Sequence, residues 1–249
     1  MIKNSFGSET MELYKNIDLK VDTHFSNKRR QAPCSKGCAS CCSQFFEISE
    51  VEYVIILNHL KDWEEAKINK LIDTVDLYNK LLKKYHNKFY NEFFSVDMKQ
   101  EFSCNKYYNN PERFRIQMPC VFLSREGACS IYSFRPLVCR TTGVGYKHNF
   151  EVGSVCSEIP SINKARSWQA DLREFRDEIL SVNWLTPEKP QNISNYDQEN
   201  NSIELRQYPI FYFVYESFIK SKVGFSDPRL KEYFDLSKEE FVKQLNPPK

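Results

Sequence analysis

The chain has 249 residues and a net charge of +2, its 35 basic and 33 acidic residues mixed along the sequence. That length suits one large domain or two small ones, and the balanced charge excludes the basic stripe with which a nucleic-acid binder meets phosphates. Seven glycines against 19 Phe and 14 Tyr argue for helices around an aromatic core rather than an all-β sandwich.

The opening "MIKNSFGSETMELY" carries no apolar secretory core, and no later segment reaches the length of a membrane span. The expectation is a cytoplasmic protein without a membrane partner. Residues 8 to 30 read as an amphipathic helix running towards Pro33. "APCSKGCASCCSQFF" then places Cys34, Cys38, Cys41 and Cys42 within nine positions. Ser49 and Glu52 have the spacing of a capping box and open a helix through "VIILNHLKDW". Apolar residues recur at helical spacing through "INKLIDTVDLYNKLLKKYHNKFYNEFF", which predicts a second long helix.

The texture changes at Pro111. "MPCVFLSREGACSIY" has two short apolar runs around "SREG", the pattern of a β-hairpin with Gly127 at its turn. "SFRPLVCRTTGVGY" follows as a loop or short helix broken by Pro136. A helical pattern returns from Ser161 to Leu185, and residues 187 to 202 read as a polar loop or linker. "IELRQYPIFYFVYESFIKSK" is aromatic and helical or mixed, and Ser237 with Glu240 caps a last short helix. The fold class is therefore mainly α (α+β), a helical domain with a small Cys-rich hairpin and loop site. Residues 1–185 form the Cys-cluster domain and 186–249 an aromatic-rich extension packed on it, within one domain or two.

The nine cysteines decide the chemistry. In a reducing cytosol clustered thiols serve as metal ligands or catalytic groups more often than as disulfides, and an odd count precludes a complete disulfide framework within one chain. On a straight helix the first four would span roughly 12 Å, whereas thiolates on one metal sit at about 2.3 Å from it. Either Gly37 bends the segment into a loop around a metal, or two centres share the thiols. Adjacent side chains diverge in helix or strand, so Cys41 and Cys42 favour the second choice. Cys120, Cys129, Cys139 and Cys156 supply the remaining ligands. Cys104 reads as an ordinary buried cysteine. Tyr132 reads as a packing residue over the site, and His148 as a candidate substitute ligand.

"CSKGCASCCSQFFEIS" followed by "PCVFLSREGACSIYSFRPLVCR" closely resembles the YkgJ-type cysteine-cluster family, the zinc- or iron-chelating CxxCxxCC domain. The matching elements are Cys34 to Cys42, Cys120 to Leu123, Gly127 to Tyr132 and Arg135 to Arg140. The first spacing has three residues between cysteines where the family name has two. The family includes flagellin lysine N-methylases, iron–sulfur proteins that use S-adenosylmethionine. The resemblance thus implies a thiolate-held iron–sulfur cluster (4Fe–4S favoured) or zinc, with S-adenosylmethionine and a protein substrate or partner as further options. It gives Arg135 and Arg140 a role in hydrogen-bonding cluster sulfur or balancing thiolate charge. A protein that stores or delivers metal is a third reading. Cys34, Cys38 and Cys41 also have the spacing of radical S-adenosylmethionine enzymes, but Ser40 stands where an aromatic is expected and no β/α barrel pattern follows.

Overall fold

The computed structural model describes residues 5–29, 31–32, 37–44, 46–93, 116–142, 144–146, 169–182, 184–185, 196–197, 202–204 and 207–219. Cys34, Cys104, His148, Cys156 and the helix expected at Ser237–Glu240 lie outside them. Within the described residues the architecture is mainly helical, as expected: seven helices with a few short strands.

Helix α1 (Ser5–Asn27) comes first, then strand β1 (Glu47–Ser49), which runs directly into α2 (Glu50–Leu60). Apolar residues surround α2 on all sides, and a helix of that kind belongs in the middle of the fold. Nine of its 11 residues are buried. The expected capping box is formed: the Ser49 hydroxyl accepts from the Glu52 N–H at 3.4 Å, and the Glu52 carboxylate accepts from the Ser49 N–H at 3.1 Å.

The second long helix divides. α3 (Glu65–Tyr85) buries Ile68, Leu71, Val75 and Leu82 on one stripe, but His86 leaves helical geometry at φ −130° and ψ 45°. The chain turns there and resumes as α4 (Asn87–Phe93), which places Phe89 and Tyr90 in the core. Apolar spacing continues across such a break and does not reveal it.

Later in the chain come the short helix α5 (Leu137–Thr141) and the parallel pair β2 (Gly145–Tyr146) and β3 (Ala170–Asp171). α6 (Arg176–Ser181) follows, and β4 (Trp184–Leu185), β5 (Tyr196–Asp197) and β6 (Ser202–Glu204) form an antiparallel sheet in the order β4-β6-β5. The helix expected from Ser161 to Leu185 is thus reduced, in its described part, to a 3-10 turn (Arg173–Phe175) running into α6. Ala170 instead gives its N–H to the Val144 carbonyl at 2.7 Å, and a partner 26 positions away overrides the local periodicity. Strand residues also occupy part of the stretch read as polar loop.

β7 (Gln207–Pro209) pairs antiparallel with β1, Glu47 opposite Pro209 and Ser49 opposite Gln207. α7 (Ile210–Phe218) follows it. Phe213 stacks on Tyr53 at 4.8 Å between ring centroids, and the Tyr53 hydroxyl meets Ser217 Oγ at 2.7 Å. The late aromatic segment therefore lies against the strand that ends the first cysteine run. No helix among the described residues is long and apolar enough to cross a membrane.

Candidate metal centre

The first cysteine run is neither helix nor strand. Gly37 sits at φ +99°, a region that costs little only to glycine, and residues 40 to 43 form turns closed by the Cys42 N–H on the Ala39 carbonyl at 3.0 Å. In this geometry the thiols of Cys41 and Cys42 hydrogen-bond to each other. The divergence expected of adjacent side chains holds for regular structure and does not apply in a turn. The first cysteine run bends at Gly37 and does not run as a straight helix.

The second run folds against the first. A 2.6 Å hydrogen bond from the Cys120 N–H to the Cys42 carbonyl joins them backbone to backbone. The expected hairpin is present in minimal form: Leu123 and Cys129 make one antiparallel bridge, and Ser124 and Gly127 close the turn. Gly127 lies at φ +77°, where a Cβ would stand 3.6 Å from the Gly37 carbonyl. That is ordinary contact, so Gly127→Ala should cost only the backbone strain of a left-handed residue, about 1–2 kcal/mol. A denaturant midpoint equal to that of the unmodified protein would refute this.

The third element is the Arg-Pro turn and α5, and Glu52 fixes it. One carboxylate oxygen of this buried residue accepts from the Leu137 N–H at 2.6 Å and from the Tyr14 hydroxyl at 3.1 Å. The residue that caps α2 therefore also binds the first turn of α5, two positions before Cys139, and ties both to α1. Asp18 of α1 adds a second tie, pairing with Arg140 and, at 3.2 Å, with Arg135. The Arg140 guanidinium lies 4.2 Å over the Tyr14 ring and that of Arg135 lies 3.9 Å over the Tyr132 ring. Tyr132 thus packs at the site's edge, as expected.

Together these elements bring Cys38, Cys41, Cys42, Cys120, Cys129 and Cys139 to the wall of one cavity of about 80 Å³. All six are part-buried, and none is in a disulfide. The opposite wall is apolar, with Phe46, Ile48, Tyr78 and Phe211 among its residues, and Arg135 is the charged residue of the described lining. Cys34 and Cys156 lie outside the described residues. Among the described residues no three His, Cys, Asp or Glu side chains are set as a finished coordination sphere; the thiols surround the space without closing on a point.

The electrostatics suit a cation. The hydrogen bond from Cys41 brings the Cys42 thiol down to about 7, against the opposing effect of burial. Burial pushes Cys120 up to about 12, and negative charge at Cys129 and Cys42 adds to it. Cys139 is raised well above the ordinary thiol range by burial and then by charge at Cys120, Cys129, Cys42 and Glu52. Burial also raises Cys129, with Arg135 partly offsetting it. Each thiolate thus hinders ionisation of the next, and a bound cation relieves that mutual repulsion. Thiols with no carboxylate among the described lining select soft metals such as zinc and iron over calcium or magnesium.

A family model named CxxCxxCC and described as a "putative zinc- or iron-chelating domain" matches residues 33–157. The chain belongs to this CxxCxxCC family. The matched span reaches from just before Cys34 to just after Cys156, so it encloses both cysteine groups. No curated protein and no solved structure matches the chain.

Asp18, Tyr14 and the second role of Glu52 did not emerge from the sequence. Their hydrogen-bond partners lie between 38 and 122 positions away, and no local pattern marks such a contact.

Proposed function

We propose that this CxxCxxCC protein holds an iron–sulfur cluster, 4Fe–4S in type, on thiolates drawn from Cys38, Cys41, Cys42, Cys120, Cys129 and Cys139, with Cys34 and Cys156 in the same donor set. The observation that carries this reading is the convergence of six thiols on one cavity. A tetrahedral zinc and a 4Fe–4S cluster each use four thiolates, so the thiol count suits either. The size of the space favours the polynuclear centre, since about 80 Å³ compares with the roughly 10–15 Å³ needed for one water.

When bound, such a cluster supplies one-electron redox chemistry. The chain supplies the thiolates and an apolar wall that lowers the local dielectric and limits the access of water. Zinc is the competing occupant and would make the centre structural. Anaerobic purification followed by iron, sulfide and zinc analysis distinguishes them. Iron and acid-labile sulfide in similar amounts, with broad visible charge-transfer absorption, are expected. Stoichiometric zinc without iron or sulfide would overturn the assignment.

A further inference from the structure

We propose that Arg135, and not Arg140, is the cation of the metal centre, and that its Nε–H donates to anionic sulfur in the cavity. This rests on the thiolate centre proposed above, though on neither metal in particular.

The two arginines flank Cys139 almost symmetrically in sequence, and the fold separates them. Arg140 is 3% exposed and its donors are taken up by the protein. Its Nε gives to the Arg135 carbonyl at 2.8 Å, one terminal nitrogen gives to the Ser133 carbonyl at 2.6 Å, and the other pairs with Asp18. It braces the turn from behind and does not line the cavity. Arg135 does line it. Its terminal nitrogens reach Asp18 at 3.2 Å and the Tyr132 carbonyl at 3.4 Å, while its Nε is buried with no hydrogen-bond partner among the described residues.

Buried N–H groups without an acceptor are rare in folded proteins, and a thiolate or inorganic sulfide in the cavity is an acceptor within the chemistry of this site. Asp18 and the Tyr132 ring hold the guanidinium by its fork and its face, which leaves the Nε edge for the centre. Arg135 is in this sense a positioning and charge-balancing residue.

The test compares Arg135→Gln, Arg135→Lys and Arg140→Lys in the metal-loaded full chain, read by the rate of metal loss to a chelator and, where iron is bound, by reduction potential. Arg135→Gln should release metal about tenfold faster or more. It should also shift an iron cluster to more negative potential, because a donor and a cation favour the reduced, more anionic state. Arg135→Lys should fall between, keeping the charge without the Nε–H. Arg140→Lys should lower the melting temperature of the metal-free protein and change metal release by less than about twofold.

Wild-type release and potential in Arg135→Gln would overturn the inference while leaving the centre in place. So would a melting loss in its metal-free form that accounts for the whole effect. Wild-type protein that takes up neither iron nor zinc would remove the centre and the inference together.

Discussion

Glu52→Ala should lower the free energy of unfolding by about 3–5 kcal/mol, which is unusually large for one substitution. The carboxylate accepts from the Tyr14 hydroxyl, the Leu137 N–H and the Ser49 N–H. Hydrogen bonds to a charged group are worth roughly 1.5–3 kcal/mol each, and the donors left behind stay buried. α2 also loses half of its capping box. Glu52→Gln should recover only part of this, because its amide turns an NH2 towards one of the three donors. Tyr14→Phe removes one donor and leaves the other two satisfied, so about 1 kcal/mol is expected. Urea midpoints measure all three, and a loss below about 1 kcal/mol in Glu52→Ala would show that the tie is not structural. Metal loading should fall in the same order, since the Leu137 N–H held by Glu52 sets the start of the helix bearing Cys139.

Removing the metal should have the second largest effect, and it should depend steeply on pH. A ligand at a thousandfold excess over its dissociation constant stabilises the folded chain by about 4 kcal/mol, so chelation should lower the melting temperature by several degrees or more. Cys120 at about 12, with Cys129 and Cys139 also raised, carry their protons at neutral pH when no metal is present. Metal binds the thiolates, so each of these sites gives up a proton on binding, and affinity rises about tenfold per pH unit for each proton displaced. Three such thiols predict a slope of about three in log affinity above neutrality. Cys42, at about 7, releases a further proton only below that value. Acid therefore weakens binding, and more steeply below about pH 7 than above it. Chelator competition across this range measures the slope. An affinity that does not vary with pH would mean that these thiols do not bind the metal.

Much of the helical frame was legible because its signals are local. The Ser49–Glu52 box, the all-round apolar character of α2 and the Ile68 to Leu82 stripe each lie within a few turns of one helix. Gly127 at the hairpin turn was equally readable, because φ > 0 there suits glycine. The break at His86 and the loss of the helix around Ala170 were not, since in each case a tertiary partner or core position outweighs a continuous periodic pattern. The turn geometry of the first cysteine run was not legible for a related reason. Rules for side-chain direction assume regular structure, and the bend at Gly37 takes residues 38 to 43 out of it.

The residue pattern identified the candidate ligands, thiols in two groups with an Arg-Pro turn carrying one of them, because ligand chemistry resides in residue type and needs no contact map. It also determined that the frame would be mostly helical. Folding alone brought the six described thiols to one cavity. It also decided that Glu52 and Asp18 of distant helices hold the second group in place, and that two similar arginines have different surroundings. Those facts depend on hydrogen bonds between residues up to 122 positions apart, which the folded chain alone brings within reach.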